Sequence, residues 1–203
     1  TVVRVSAVTE LKPAFHASGS VTAGWNAVEH GGDGYVGRFS FNAPVSDNFA
    51  FRVSGFRRKD AGFIDNPLGG ALYGLPEEDI NEATTTGGRI AASWKINDTW
   101  RADAFWLTQR RDADGGTWVD VNRSTLEPSF GEYQHATPVD EENKVDLDVG
   151  NLTIHGQIGS FGFVSATTYQ ENSADAKGDG SGSWGLVLAA LYADPVTHIP
   201  DFT

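Results

Sequence analysis

The sequence of 203 residues contains no cysteine and no methionine. Without cysteine the chain has no disulfides and no cysteine-ligated zinc site. The absence also does not indicate whether the protein works in an oxidising or a reducing compartment. No apolar run approaches the ~20 residues that a membrane-spanning helix needs. Basic residues are also scarce, since 15 Lys and Arg stand against 27 Asp and Glu and give a formal charge of -12. This balance argues against general binding to nucleic acid, which usually requires a basic surface.

The sequence also lacks the patterns of common catalytic and metal sites. It has no Gly-x-Ser-x-Gly nucleophile elbow and no phosphate-binding loop, and its five histidines are not spaced as metal ligands. The cluster Asp112, Asp114, Asp120 and Asn122 resembles the start of a calcium loop but lacks the closing glutamate and a third oxygen ligand. We therefore predict that the chain is not an enzyme and holds no metal and no cofactor.

Glycine and aromatic residues, in contrast, are plentiful, with 24 glycines and six tryptophans. The segment Gly34–Lys59 alternates apolar and polar residues in two long runs, the pattern of an antiparallel hairpin. Soluble strands average ~5–6 residues, whereas a tilted strand that crosses a bilayer needs ~9–11. The sequence therefore predicts an all-β chain and, more specifically, an antiparallel transmembrane β-barrel segment of about seven strands within a larger up-and-down barrel.

The alternation assigns side chains to two faces of the sheet. We predict that one face meets lipid and carries Phe39, Phe41, Phe51, Trp94, Trp100 and Trp106. The opposite face is predicted to line a lumen and to favour anionic ligands through Arg38, Arg52, Arg58, Arg89 and Arg101. The alternative is that these arginines only pair with carboxylates of a wet interior. Phe105 and Leu107 do not fit, because they fall on the polar side.

Short and long connections alternate along the chain. The short ones are predicted at Ala43–Asn48, Asn97–Thr99 and Gly159–Gly162, and the second is expected to be a three-residue loop with a bulge. The long ones are Asp60–Thr86, Asp112–Asn143 and Ser173–Ser183. Short turns at one end of the strands and long connections at the other are typical of outer-membrane barrels. A further bulge is predicted near Gly150–Asn151, where the apolar parity changes, and Leu186–Tyr192 fits either a short helix or a strand.

Two runs of the sequence carry distinctive patterns. The first is R-x-S-G-x-x-R-x-x-x-G followed by an aromatic-Ile-Asp-Asn segment, and the second is G-x-R-x-A-x-x-W. The residues of these patterns are Arg52, Ser54, Gly55, Arg58, Gly62, Phe63, Ile64, Asp65 and Asn66, then Gly87, Arg89, Ala91 and Trp94. Together they resemble the early barrel of TonB-dependent outer-membrane receptors, over roughly residues 1 to 172. The chain departs from the family in lacking the TonB box, most of the plug domain and the C-terminal strands.

The resemblance implies a fragment of a receptor in the outer membrane of a Gram-negative bacterium. Residues 1–13 would be the end of the plug, and residues 14–203 would be the N-terminal portion of a barrel of about twenty-two strands. The implied partners are outer-membrane lipid, the energy-coupling protein TonB through the missing N-terminal part, and a small solute such as a ferric siderophore.

Two other interpretations remain open at this point. One is a passive porin or an adhesin-type barrel, and the other is a soluble β-sandwich binding module in which the aromatic face is an internal core. Separately, Arg57–Lys59 and Arg110–Arg111 lie at the predicted extracellular strand ends. Their guanidinium groups could bind lipopolysaccharide phosphates, or they could be polar rim residues.

Overall fold

The structure is a computed structural model that describes residues 14–70 and 74–180. Within these residues all seven regular elements are strands, so the all-β prediction is confirmed. They are β1 (Ser18–Ala27), β2 (Asp33–Ser46), β3 (Phe49–Asp60), β4 (Ala83–Lys95), β5 (Arg101–Asp114), β6 (Glu142–Ile158) and β7 (Phe161–Lys177). The predictions for residues 1–13 and 186–192 lie outside the described residues.

The strands form one antiparallel sheet in which each strand pairs with the next along the chain, in the order β1 to β7. The sheet is open in the described residues, with β1 and β7 at its edges. Each strand has 10 to 17 residues, about twice the usual length of a soluble strand. This length separates the short turns at one end of the sheet from the long connections at the other.

The register decides which side chains share a face, because directly opposed residues point to the same side of a sheet. Phe39 is opposite Gly55, and Ile90 is opposite Trp106. Followed across the sheet, the register puts Phe39, Phe41, Phe51, Trp94 and Trp106 on one side, which we call the apolar face. Trp100 joins them, since its ring centre lies 5.7 Å from that of Phe163 on that face.

The five arginines selected from the sequence share the other side, which we call the polar face. Arg38 and Arg52 are opposite Phe56 and Asn42, and Arg58 is opposite Val36. Arg89 is opposite Ser54, and Arg101 is opposite Lys95. The face assignment from alternation therefore holds for all eleven selected side chains, while their roles stay predictions.

The turns are tighter than predicted in two of three places. Strands β2 and β3 run to Ser46 and from Phe49, with an irregular register between Pro44 and Ser46, so the turn is not six residues long. Strands β6 and β7 are joined by Gly159 and Ser160 alone, because Ile158 pairs with Phe161. Gly159 has a φ of +62°, which glycine adopts without steric cost.

The middle turn is the predicted three-residue loop. The amide of Ile96 donates to the carbonyl of Trp100 at 2.9 Å, which closes the loop around residues 97 to 99. The Asn97 carboxamide oxygen accepts hydrogen bonds from the amides of Thr99 and Trp100, each at 2.9 Å. The ladder beside the loop runs to Lys95 and Arg101 without a register shift, so the predicted bulge is not part of it.

The bulge predicted near Gly150–Asn151 is wrong. Strand β6 pairs continuously with both neighbours, with no register shift from Glu142 to His155. Val145, Leu147 and Val149 therefore lie on the polar face, where Leu107 is directly opposite Val149. The apolar residues of β6 can change from one face of the sheet to the other along the strand because β5 carries apolar side chains on both faces. Phe105 and Leu107 thus have a place in a small apolar patch on the polar face.

The long connections are shorter than predicted, because the strands extend farther towards them. They span residues 61–82 and 115–141, and β7 continues to Lys177 instead of ending near Asn172. Threonine repeats such as Thr84–Thr86 favour extended backbone, although they give no alternation signal in the sequence. The strand ends beyond the apolar residues were therefore missed.

Aromatic rings lie directly over glycines of the neighbouring strand. A Cβ atom built on Gly55 would be 2.7 Å from the Phe39 ring, and one on Gly150 would be 2.8 Å from the Trp106 ring. The same arrangement joins Gly87 with Phe56 and Gly156 with Trp100. Each glycine leaves room for a ring that would otherwise project from the sheet, and the ring shields the glycine backbone in turn.

We predict that Gly150→Val destabilises the sheet by about 1–3 kcal/mol, the usual cost of overpacking. The new side chain must displace the Trp106 ring, which stacks on Tyr169 with 5.9 Å between ring centres. The free energy of unfolding measured by denaturant titration checks this. The control Gly162→Val should change it little, since no atom lies within 4 Å of a Cβ there. Equal losses in both variants would contradict the packing argument.

Candidate functional site

The apolar face exposes a continuous set of large side chains. Phe39, Trp94 and Trp106 are 51%, 47% and 45% exposed. Other large apolar residues of the same face are exposed too: Val21, Trp25, Tyr35, Phe41, Ile90, Leu152, Phe161, Phe163 and Tyr169. No second layer formed by residues 14–70 or 74–180 covers them. An exposed apolar area of this extent marks an interaction surface.

The apolar side chains form a band whose upper border, nearer the long connections, crosses the sheet obliquely. We use the word row for a set of register partners across the sheet, so that successive rows on one face are two residues apart. On β1 and β2 the border lies at the partners Trp25 and Tyr35. On β7 it lies at Tyr169, which Glu171 follows towards the connections. The row of Tyr35 reaches β7 at Asp175, three rows above Tyr169.

The lower border is displaced in the same direction. On β2 the regular part of the apolar face ends at Ala43, next to the irregular pairing of Pro44 and Ser46. The row of Ala43 reaches β7 at Thr167, and on that strand the apolar side continues for three more rows to Phe161. The band is therefore about equally tall on β2 and on β7. Eight residues separate Tyr35 from Ala43, and eight separate Tyr169 from Phe161.

The displacement defines an angle between the band and the rows. Averaged from β1 to β7, three rows correspond to about 20 Å along a strand and six strand spacings to about 29 Å across the sheet, which gives about 35°. The change of row falls between β2 and β4, since Ile90, Trp106 and Tyr169 lie in one row. Eight residues span about 26 Å along a strand, or about 22 Å perpendicular to an inclined band. Aromatic residues occur at both margins: Trp25, Tyr35, Trp106 and Tyr169 above, and Trp100, Phe161 and Phe163 below.

The polar face contains a cavity of about 350 Å³ near the middle of the strands. Arg38, Arg89, Ser54 and Gln109 are among the side chains that line it. The Arg89 guanidinium lies over the Phe105 ring, 4.4 Å from its centre, which fixes its direction. Arg52, only 8% exposed, is the diagonal neighbour of Arg89 in the register. Three of the five arginines are thus brought together.

The other two arginines lie elsewhere on the polar face. Arg58 donates to Asp60 at 2.7 Å near the long connections. Arg101, near the short turns, donates to Asp103 at 2.8 Å and to Ser93 at 2.7 Å, and Ser93 donates to the same carboxylate. Both therefore have nearby carboxylates that satisfy their charge, and they do not belong to the cavity of Arg38 and Arg89.

The chain that leads into β1 is held against the polar face by a buried asparagine. Asn42 is fully buried and its carboxamide accepts from the Ala14 amide at 2.9 Å and donates to the carbonyls of Ala14 and His16. The Lys95 ammonium lies 4.0 Å from the centre of the Phe15 ring. The segment before β1 therefore starts on the polar side of the sheet, close to the short turns.

The long connections are not separate loops. Residues 61–82 and 115–141 are joined by a bridge between Asp65 and Gln134, and the fully buried Asn66 links them further. Its amide group donates to the Thr137 carbonyl at 2.7 Å and its oxygen accepts from the Thr137 amide at 3.3 Å. Ile64, 1% exposed, completes a small interior. We call this unit the loop assembly.

The β1–β2 connection, residues 28–32, packs onto the loop assembly. The Gly32 amide donates to the Gly62 carbonyl at 3.0 Å, and the rings of His30 and Tyr133 are stacked at 6.1 Å. His30, Asp79 and Tyr133 have φ values of 60°, 60° and 77°, a region that residues other than glycine rarely occupy. The β1–β2 connection and the two long connections therefore pack together at the same end of the sheet.

Most charged groups of the loop assembly are carboxylates. Burial raises the pKa of Asp79, and the neighbouring Asp65 raises it further. Asp65 also accepts a hydrogen bond from the Asp79 amide at 3.0 Å. The described residues contain no group of three or more histidine, aspartate or glutamate side chains arranged to hold a metal ion. Nor is any helix among them long and apolar enough to span a membrane.

Alternation along strands revealed the two faces but missed the asparagines that organise the rest. Asn42 and Asn66 lie at positions where no periodic pattern distinguishes a structural amide from a solvated one. The aromatic-Ile-Asp-Asn pattern includes Asn66 but does not indicate which residue its side chain binds. Its partner Thr137 is 71 residues away, and no local signal could have paired the two.

We predict that Asn66→Ala loosens both long connections together. The substitution leaves the amide and carbonyl of Thr137 without their partners, at a cost of about 1–3 kcal/mol. Amide hydrogen exchange of residues 115–141, followed by mass spectrometry, should then become faster although the substitution lies in the other connection. In the control Asn122→Ala, which removes acceptors only for Ser124 and Thr125, residues 61–82 should keep their protection. Unchanged exchange in residues 115–141 of Asn66→Ala would contradict the link.

Comparison of the chain with family models, with curated proteins and with solved structures gave no match.

Proposed function

We propose that this chain forms part of the wall of an outer-membrane β-barrel, in a ligand-gated transporter that takes up a small solute. The observation that carries the proposal is the oblique apolar band. From the first strand to the last, its upper and lower borders are displaced in the same direction by about the same amount, and its margins are aromatic. A planar, apolar solvent layer explains both features.

The dimensions agree with those of a barrel in a bilayer. Strands of outer-membrane barrels tilt by ~35–45°, and their outward apolar band is ~25 Å tall with aromatic girdles at both interfaces. The band on this sheet is inclined by about 35° and is about 22 Å high. Beyond the upper border, the same face carries charged pairs such as Arg110 and Asp146, at 3.5 Å, as expected above a membrane surface.

The soluble sandwich alternative requires a second layer over the band. Residues 14–70 and 74–180 supply no such layer, and the rings of Phe39 and Trp106 are about half exposed. In addition, a sandwich core gives no reason for tryptophan and tyrosine to collect at its margins, whereas their amphipathic rings favour a membrane interface. The band therefore favours lipid over protein as the solvent of this face.

Transport is supported by the polar face and by the resemblance to TonB-dependent receptors. If the sheet continues into a closed barrel, the polar face lines the lumen, and Arg38, Arg52 and Arg89 offer a cationic site beside serine hydroxyls and Gln109. Arginine forks of this kind suit carboxylates, phosphates or anionic chelates. The loop assembly lies at the end of the sheet from which a solute would enter.

A charge scan across the sheet tests the proposal. Ala104→Arg, near the middle of the band, should lower the free energy of unfolding in lipid by about 2–4 kcal/mol, the cost of arginine at the bilayer midplane. Thr108→Arg, just beyond the upper border on the same strand, should cost ~1 kcal/mol or less. Gln109→Arg, on the polar face, should be close to neutral.

The measurement is denaturant unfolding of the protein folded into phospholipid vesicles. A cooperative melt of the chain in water without lipid or detergent would contradict the proposal, and so would equal costs for Ala104→Arg and Gln109→Arg. The comparison separates lipid from a protein core, because a soluble core should need no lipid to fold.

A further inference from the structure

The apolar face carries a groove of about 650 Å³ close to its upper border. Phe39 and Trp106 are among its lining residues, together with the register partners Gly55 and Gly88. The Phe39 ring covers Gly55, but a Cβ atom built on Gly88 would meet only the Ser54 carbonyl oxygen, at 3.6 Å, so Gly88 leaves a channel where the next row carries Val53 and Ile90. Gly37 also lines the groove, and no atom lies within 4 Å of a Cβ built on it.

The upper end of the groove is cationic. Arg57 lines it, and Arg110 is in the same row, with Thr86 between them. Arg57 is exposed, and no ion pair joins it to a carboxylate within the described residues. The Arg110 side chain is 74% exposed and lies 3.5 Å from Asp146, so its pair is loose and solvated.

The neighbouring basic residues are excluded from this site. Lys59 is on the same face but is bound to Glu82 at 2.7 Å. Arg58 and Arg111 point to the polar face, opposite Val36 and Thr85. Among the basic residues at the ends of β3 and β5, only Arg57 and Arg110 lie on the apolar face, at the border of the band, without a tightly bound carboxylate partner.

We propose that this groove binds one anionic lipid of the membrane through a headgroup phosphate and one acyl chain, an inference that rests on the proposed function. The phosphate lies between Arg57 and Arg110, and one acyl chain lies over Gly88 between Phe39 and Trp106. The two arginines are two strands apart, about 10 Å between backbones, a gap that two long side chains can close around one phosphate. Charge complementarity selects the headgroup, since the guanidinium fork matches phosphate oxygens.

The test uses the protein in phosphatidylcholine vesicles that contain a small fraction of a lipid brominated on its acyl chain, either phosphatidylglycerol or phosphatidylcholine. Bromine quenches nearby tryptophan, and the Trp106 contribution is the difference between the wild type and Trp106→Phe. We expect phosphatidylglycerol to quench Trp106 more than phosphatidylcholine does at the same fraction. Arg57→Gln and Arg110→Gln should each lower the preference by about fivefold.

Arg111→Gln is the matched control, because it removes the same charge one residue from Arg110 but on the polar face. It should leave the preference unchanged. Equal quenching by the two lipids in the wild type would overturn the inference while leaving the proposed function standing, and so would a preference that survives loss of Arg57 and Arg110. If neither lipid quenches any tryptophan, the protein is not inserted and the proposed function itself fails.

Discussion

The structure depends on an uninterrupted hydrogen-bonded ladder. Every strand is bonded to the next along its whole length, and apart from the irregularity at Pro44 and Ser46 the register does not slip. Because the side-chain period of a strand is two, a single slip would move all later residues to the opposite face. The separation of the six predicted lipid-facing aromatic residues from the five predicted lumen-facing arginines is therefore a consequence of backbone pairing.

Continuous pairing also explains why the border of the apolar band is oblique. Rows run perpendicular to the strands, so in the proposed barrel of tilted strands the membrane border must reach other rows from one side of the sheet to the other. On β2 the change follows Tyr35, and on β7 it follows Tyr169. Glycine and alanine inside the band, with rings laid over Gly55 and Gly150, let aromatic side chains lie along the surface.

The faces could be predicted from the sequence because they depend on local alternation, and the six aromatic and five arginine residues are all on the expected sides. The predicted bulge at Gly150–Asn151 failed for a related reason. Alternation shows that the apolar residues of β6 change from one face to the other. It does not show that Leu107 and Phe105 of β5 provide apolar neighbours for them on the polar face. The loop assembly could not be predicted, since Asn66 and Thr137 meet only after four strands and two connections have been placed. Contacts of that sequence separation have no local pattern.

Charge is divided between the sheet and its connections. The connections 28–32, 61–82 and 115–141 contain eleven acidic residues and only one arginine, Arg123, so they hold 10 of the 12 excess negative charges. The arginines of the polar face lie along the strands below them. In the proposed transporter, an anionic solute that enters from the connections would be repelled before it is attracted by Arg38 and Arg89. Because charges are screened over about 8 Å at physiological ionic strength, the proposed function then requires that selectivity come from close contact with the guanidinium groups and not from long-range steering.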